Sequence, residues 1–189
     1  MEHLPDKNSQ YNDVVYWDER YKTEQSYDWL GSFSKLQHLL EKVIKKDDSI
    51  LMLGCGNSSL SGDMYDAGYH NITNIDYSSV CIETMSARYS RCTSMTWQTM
   101  DVRELSFCDA SFDVIIEKAT LDAIMVDEKT PWEVSEETAN FIHQALTESW
   151  RSPSSSEQHG LTQMHKSRLL FVHKCALCVN VGGLLRAFL

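Results

Sequence analysis

The stretch ILMLGCGNSSLS, residues 50–61, joins four apolar residues directly to a Gly-x-Gly turn. Four consecutive apolar residues are typical of a short strand that is buried on both faces of a sheet. Two glycines after such a strand allow a tight turn, where a ligand can approach backbone N–H groups without meeting a Cβ. The stretch therefore predicts a buried strand, a ligand-binding turn and a following helix.

Helical and strand-like patterns alternate along the rest of the chain. Residues 34–44 carry apolar residues at helical spacing, and Gln37 follows Ser34 by three residues, as in a capping box. Further helical patterns cover residues 58–67, 79–90 and 135–150, and the strand-like runs between them are ITNID (72–76), MTWQTMD (95–101) and VIIE (114–117). This alternation predicts an α/β fold with a Rossmann-like, doubly wound, mostly parallel sheet.

Composition limits the classes of partner. The chain has 189 residues, with 17 Lys and Arg against 27 Asp and Glu, and its net charge is −10. That charge disfavours a nucleic-acid binder or an anionic-membrane binder and is compatible with a basic protein partner. The first ten residues lack the features of a signal peptide, and the apolar window 169–189 is interrupted by polar and charged residues, so we expect no membrane span.

Six cysteines are scattered through the chain, a pattern typical of reduced thiols in the cytoplasm. Cys175 and Cys178 form a C-x-x-C after His173. A metal site of this type needs a second ligand pair at a matching spacing, and the sequence contains none. We therefore expect a cytoplasmic protein without a metal centre.

Acidic residues end the two strands that follow the glycine turn. Asp76 lies 20 residues after Gly56, a spacing that suits a carboxylate that accepts both hydroxyls of a ribose. Asp101 ends the third strand, where it could accept the exocyclic amine of adenine while the N–H of Val102 faces a ring nitrogen. The alternative for both acids is a helix N-cap. Together with the glycines, they favour a nucleoside ligand.

Two nucleoside cofactors compete for this pattern. A dinucleotide fold favours a third glycine at position 59, where this chain has Ser59, and a second nucleotide-binding half, which so short a chain lacks. S-adenosylmethionine carries no phosphate and needs the glycines only for close approach. The pattern therefore favours S-adenosylmethionine.

The motifs LGCGNSSLS, IDYSSV, MDVREL and FDVIIEKATLDA together resemble the class I, seven-strand methyltransferases. More narrowly, they are similar to the eukaryotic methyltransferase-like family that contains the elongation factor 1 alpha lysine methyltransferases. YWDERY and YDWLGSFSKL resemble that family's cofactor lid. The resemblance implies S-adenosylmethionine-dependent methylation of a protein lysine, with elongation factor 1 alpha as the protein partner.

The resemblance also implies a set of cofactor-binding residues: Trp17, Tyr21, Trp29, Gly54, Gly56, Asp76, Tyr77, Asp101, Val102 and Lys118. The lid aromatics would close over the cofactor, whose sulfonium cation suits aromatic faces. Ordinary packing of the N-terminal segment is the alternative for these rings. Tyr77 would pack beside the adenine, and Lys118 would line the pocket through its main chain. Glu117 and Asp122 are candidates to position a substrate ammonium, and each could equally be a surface charge or a cap, so we assign no general base.

The C-terminal region departs from the family. Residues 151–160 have the composition of a loop, and only NVGGLLRAFL resembles the turn that opens the family's fifth strand. We therefore expect the antiparallel strands to be missing, with residues 1–149 as the cofactor-binding domain, residues 1–33 as its lid and residues 150–189 as an atypical tail. Two alternatives to a lysine methyltransferase stay open: a non-catalytic cofactor-binding or scaffold variant, and a small-molecule methyltransferase.

Overall fold

The computed structural model describes residues 4–108, 111–128, 134–149, 168–173, 176–181 and 184–188. A short 3-10 helix, Asn8–Asn12, precedes six α-helices: α1 (Val14–Thr23), α2 (Phe33–Val43), α3 (Leu60–Asp66), α4 (Ser79–Arg88), α5 (Thr120–Ile124) and α6 (Glu136–Ser149). The strands are β1 (Ile50–Leu53), β2 (Ile72–Asp76), β3 (Thr96–Thr99), β4 (Val114–Lys118), β5 (Arg168–His173), β6 (Ala176–Val181) and β7 (Leu184–Phe188). The predicted elements from residue 34 to residue 149 are all present, with small differences at their ends.

The seven described strands form one sheet in the order β3-β2-β1-β4-β5-β6-β7. β1 lies between β2 and β4 and is parallel to both, with Ile50 opposite Ile72 on one side and Val114 on the other. The pairs β2–β3 and β4–β5 are parallel as well. The prediction of a Rossmann-like, doubly wound, mostly parallel sheet is therefore confirmed.

β1 is buried on both faces, as its apolar run predicted. Ile50 and Met52 share a core cluster with residues of α2 and α3. Leu51 and Leu53, which point to the opposite face because side chains alternate along a strand, pack with residues of β2 and β4. The carboxyl end of β1 is therefore held in a fixed position at the centre of the sheet edge.

The N-terminal segment packs against the same end of the sheet. Trp17 and Tyr21 of α1 form a third buried cluster with Cys81 and Met85 of α4. Arg88 of α4 donates a hydrogen bond to the carbonyl of Gln25, which follows α1. These contacts set α1 beside the loops that follow β1 and β2.

The expected absence of antiparallel strands is wrong. β5 and β6 are antiparallel, with Arg168 opposite Val181, and β6 and β7 are antiparallel, with Leu177 opposite Phe188. Antiparallel neighbours need only a short connection, whereas parallel neighbours need a crossover. Two residues separate β5 from β6, and two separate β6 from β7, so this apolar region forms local hairpins without a crossover helix. Gly182 and Gly183, which we compared with a family turn, lie outside the described residues.

The prediction of a capping box that begins at Ser34 is wrong. Ser32 is the N-cap of α2, and the side chain of Gln37 donates to Glu41 instead. Among the residues that the structure describes, no helix has the length and apolar character needed to cross a membrane.

Candidate functional site

The glycine turn adopts a backbone that ordinary residues avoid. Gly54 and Gly56 have φ angles of +59° and +52°. A Cβ on Gly54 would lie 2.2 Å from Oγ1 of Thr120. That hydroxyl is fixed there because it donates to the carbonyls of Leu53 and Gly54. Both the left-handed φ and the close approach of Thr120 therefore require glycine at position 54.

Asp76 is the centre of the site. Its side chain lies at the end of β2 and is 4% exposed. One carboxylate oxygen accepts a hydrogen bond from the N–H of Gly56 at 2.9 Å, and the other accepts from the N–H of Ser78 at 3.0 Å. Burial raises the pKa of this carboxyl to about 6, and no Lys or Arg of the described residues forms a salt bridge with it. A buried carboxylate at a glycine turn is suited to accept hydrogen bonds from a polar ligand.

The helix N-cap alternative does not account for either acid. Ser78 is the N-cap of α4, since its hydroxyl accepts from the N–H of Cys81. Asp101 accepts from the N–H of Arg103 in a turn, and no helix begins there among the described residues. The two acids therefore end strands without capping the helix that follows.

The third strand end is arranged differently from the prediction. The carboxylate of Asp101 forms a two-point contact with the Arg103 guanidinium, whose hydrogen bonds lower the pKa of Asp101. Val102 packs against the core cluster on the Leu51 face. Tyr77 follows β2 and is 40% exposed. The N–H of Met100 donates to the carbonyl of Asp76, which joins the loops that follow β2 and β3.

The predicted lid aromatics lie together above the glycine turn. Trp17 and Tyr21 are stacked with ring centroids 5.5 Å apart, and Trp29 meets Trp17 edge to face at 6.3 Å. A Cβ on Gly56 would lie 3.2 Å from the hydroxyl of Tyr21. Because Trp17 and Tyr21 are also buried in a core cluster, these rings serve ordinary packing as well as covering the turn.

Three carboxylates of the N-terminal segment attach it to the strand ends. Asp18 accepts from the hydroxyl of Ser78, which follows β2. Glu24 accepts from the Asn57 side chain at 3.0 Å. Asp28 accepts from the hydroxyls of Ser58 and Ser59, which follow the glycines. Sequence analysis missed these acids, although Asp18 and Asp28 stand next to the lid aromatics in YWDERY and YDWLGS.

Arg20 holds this lid together from inside. Its guanidinium makes a two-point contact with Glu24 at 2.9 and 2.8 Å and lies 5.1–5.5 Å from the ring centres of Trp17, Tyr27 and Trp29. Burial alone would lower the pKa of Arg20, but hydrogen bonds to Glu24 and Tyr16 raise it above its ordinary value. The lid therefore carries a permanently charged, buried cation at its centre.

Residues at the end of β4 complete the site. The ammonium of Lys118 donates to the carbonyl of Trp29 at 3.0 Å and lies 3.6 Å from Asp28, so its side chain contacts the lid. Burial lowers the pKa of Lys118, and the nearby Asp28 opposes that effect. Glu117 is 1% exposed, and one of its oxygens accepts from the N–H of Leu121, which fixes the start of α5. Glu117 is thus a buried structural acid rather than a surface charge.

The comparisons with known proteins agree with this architecture. The methyltransferase domain family matches residues 50–144, which is half of the chain. EEF1A lysine methyltransferase 4 of Mus musculus is 47% identical over 148 residues, covering 77% of this chain and 58% of the relative. The eEF1A lysine and N-terminal methyltransferase of Xenopus laevis is 40% identical over 151 residues, covering 78% of this chain and 22% of the relative.

Solved structures share the fold at lower sequence identity. A protein of Pyrococcus horikoshii OT3 has a TM-score of 0.53 and 21% identity, covering 81% of this chain and 64% of its own. A SAM-dependent methyltransferase of Methanosarcina mazei has a TM-score of 0.50 and 19% identity, covering 70% of this chain and 55% of its own. The chain spans 58% of the length of the mouse relative. The four strands within residues 50–144 lie in the seven-stranded sheet. Because the family model matches residues 50–144, this chain belongs to the methyltransferase domain family.

Proposed function

We propose that this chain is an S-adenosylmethionine-dependent protein-lysine methyltransferase that acts on elongation factor 1 alpha. The observation that carries the proposal is the buried Asp76 carboxylate, hydrogen-bonded to the N–H of Gly56 at the glycine turn. The substrate rests on the relatives, which are named for methylation of EEF1A lysine. A cytoplasmic setting is supported by four free thiols among the described residues, a state that reducing compartments maintain.

The described residues suit this cofactor in four respects. The glycine turn allows close approach of a ligand to the backbone, because residues 54 and 56 carry no side chain. Asp76 offers two carboxylate oxygens, and ribose hydroxyls are the donors that such a group accepts in related folds. The stacked rings of Trp17 and Tyr21 lie directly over the turn, and aromatic faces attract a sulfonium cation. Lys118 and Asp28 would hold the lid closed over the bound cofactor.

When bound, S-adenosylmethionine supplies an activated methyl group on a positively charged sulfur. The chain's own residues then have to align a lysine amine with that methyl group and exclude water. The aromatic lid would exclude water, because its rings are packed by Arg20 and anchored to both strand ends. Asp122 lies in α5, directly after β4, where it would attract a lysine ammonium before it loses its proton, whereas the buried Glu117 holds the start of α5. We assign no general base to this site.

The C-terminal strands bear on whether this chain completes catalysis. In our proposal, residues 1–149 form the cofactor-binding domain with its lid 1–33, and residues 150–189 form the C-terminal tail, whose described strands join the same sheet. β5–β7 extend the sheet beyond β4 and so supply the edge that we expected to be missing. Binding of the cofactor without turnover is the second candidate function, and methylation of a small-molecule acceptor is the third.

The cofactor assignment is tested by isothermal titration of S-adenosylhomocysteine into the wild type, Asp76→Ala and Asp48→Ala. Asp48 is a buried acid at the opposite end of β1, where it accepts from the N–H of Lys45, so it is a matched control. We expect Asp76→Ala to weaken binding by about 1.5–3 kcal/mol, since hydrogen bonds to a charged group are lost. Equal affinity of a folded Asp76→Ala protein would remove the assignment.

The substrate is tested separately, by transfer of a radiolabelled methyl group to purified elongation factor 1 alpha. We expect labelling that disappears when the target lysine of the factor is replaced by arginine. A protein that binds S-adenosylhomocysteine but labels neither the factor nor small amines would favour the non-catalytic alternative.

A further inference from the structure

Two thiols and a carboxylate meet behind the glycine turn. The Sγ atoms of Cys55 and Cys81 and one carboxylate oxygen of Asp76 all lie within 4.8 Å of one another. Each residue comes from a different element: the glycine turn after β1, the end of β2 and the first turn of α4. Sequence analysis did not find this cluster, because residues 55, 76 and 81 do not follow the spacing of a known metal motif.

The backbone holds the three residues in this arrangement. The N–H of Cys55 donates to the carbonyl of Ile75 at 2.9 Å, next to Asp76. The N–H of Cys81 donates to the hydroxyl of Ser78 at 3.1 Å, which caps α4. Strand pairing and helix capping therefore bring the ligand atoms together, so the cluster is already organised before any ion binds.

The charge of this cluster is unbalanced. Asp76 is 4% exposed, and among the described residues no Lys or Arg forms a salt bridge with it. Its two hydrogen bonds come from neutral backbone N–H groups. A buried anion of this kind is stabilised by a cation, and thiols next to it select a soft metal ion over Mg²⁺ or Ca²⁺.

We propose that Cys55, Asp76 and Cys81 form a binding site for a thiophilic divalent metal ion of the Zn²⁺ class. A tetrahedral ion with bonds of about 2.3 Å to sulfur and about 2.0 Å to oxygen requires ligand atoms about 3.5–3.8 Å apart. The ligand atoms are no more than 4.8 Å apart, so side-chain rotations that move them by about 1 Å bring them to these distances. Three protein ligands leave the fourth position for water, which can reach the half-buried Cys55.

Metal binding and cofactor binding exclude one another in this arrangement, because Asp76 is needed by both. This part of the proposal rests on the proposed function. Cys55 also lies between Gly54 and Gly56, so a metal on its thiolate would tie the turn to α4. Metal would then inhibit the enzyme, and the cofactor would displace the metal.

The site is tested with Co²⁺, a coloured substitute for Zn²⁺ whose thiolate complexes absorb strongly in the near ultraviolet. The starting protein carries Cys175→Ser and Cys178→Ser, so that the C-x-x-C pair cannot contribute. We expect a thiolate–Co²⁺ band that Zn²⁺ abolishes. Cys81→Ser and, separately, Cys55→Ser should weaken binding at least about 100-fold, because loss of a partner outside the ligand set already costs 10–100-fold.

Cys92→Ser is the matched control, since Cys92 is a buried free thiol outside the cluster. It should keep the band at full strength. A band of equal strength in folded Cys55→Ser and Cys81→Ser proteins would overturn the site, and so would the absence of any band in the starting protein. Circular dichroism establishes that each variant is folded.

Competition is measured in a second experiment with S-adenosylhomocysteine. In the presence of a chelator, the affinity for S-adenosylhomocysteine reports on the proposed function alone. On addition of Zn²⁺, we expect that affinity to fall at least tenfold in the starting protein and to stay unchanged in Cys81→Ser. Simultaneous binding of metal and cofactor would overturn the exclusion, whereas failure of cofactor binding with chelator present would count against the proposed function and leave the metal result standing.

Discussion

Substitution of Asp76 by asparagine tests whether this buried acid opposes folding. Burial raises its pKa from 3.8 to about 6 in the folded protein. Between these values the folded state binds the proton more tightly than the unfolded state, so the free energy of unfolding falls as the pH rises. A shift of this size corresponds to about 3 kcal/mol, since one pKa unit is worth 1.36 kcal/mol. The acid thus contributes most stability below pH 4 and least above about pH 6.

The measurement is urea unfolding of the wild type and Asp76→Asn, with chelator and without cofactor, from about pH 4 to about pH 7. Other carboxylates titrate in both proteins, so their effects cancel in the difference. Asparagine places an amide NH2 group next to a backbone N–H, but the energetic cost of that contact does not change with pH. We expect the stability of the asparagine variant relative to the wild type to increase by about 2–2.5 kcal/mol between pH 4 and pH 7. A constant difference, or a wild type that gains on the variant with rising pH, would refute the reasoning.

Three further predictions address the turn, the lid and the cofactor. Gly54→Ala should destabilise the fold by at least about 2 kcal/mol in urea unfolding, because the new Cβ meets Thr120. Gly68→Ala should lower the free energy of unfolding by less, because Gly68 has a positive φ but its Cβ would have no contact closer than 3.7 Å. A larger effect at Gly68 would contradict the clash. Arg20→Ala should lower the free energy of unfolding by about 3–5 kcal/mol, because it leaves the buried charge of Glu24 without its guanidinium. Lys22→Ala, at an exposed position, should leave the melting temperature unchanged. Equal effects of the two substitutions would count against a buried ion pair. In thermal shift assays S-adenosylmethionine should stabilise the protein and NAD should not, given Ser59, and stabilisation by NAD alone would reverse the choice of cofactor.

Sequence patterns predicted the core of the fold because local periodicity and tertiary burial agree there. The run from Ile50 to Leu53 is apolar at every position, and both faces of β1 are covered. ITNID became β2 with its predicted bounds, and the glycines form the tight turn that was predicted, with left-handed φ angles. Where each residue of a pattern has the same environment, the pattern is informative.

The C-terminal strands were missed because their pattern is ambiguous. Runs such as RLLFVH and ALCVNV fit a strand, a helix or a tail equally well when no turn residue marks their ends. Their identity depends on pairing of β5 with β4 and of β6 with β5, which no local pattern reveals.

The polar contacts of the site were missed for another reason. Asp18, Glu24 and Asp28 are ordinary charged residues in a polar segment, and their partners lie 30 or more residues away in the loops after β1 and β2. Likewise, Arg103 follows Asp101 by two residues, but only the turn between them shows that the guanidinium engages the carboxylate. Both the long-range hydrogen bonds and this local one depend on the folded backbone and leave no periodic signal in the sequence.

The strand order has a consequence for how quickly the sheet can assemble. β1 pairs with β4 only after the chain has closed a long loop that contains β2, β3 and two helices. Closing this loop costs entropy before the contacts between β1 and β4 can stabilise it. β5, β6 and β7, by contrast, are joined by two-residue connections, and hairpins of that kind form in about 1–10 μs. We therefore expect the docking of β4 beside β1 to limit the folding rate. The C-terminal hairpins would form early, and β5 would pair with β4 only after β4 has docked beside β1.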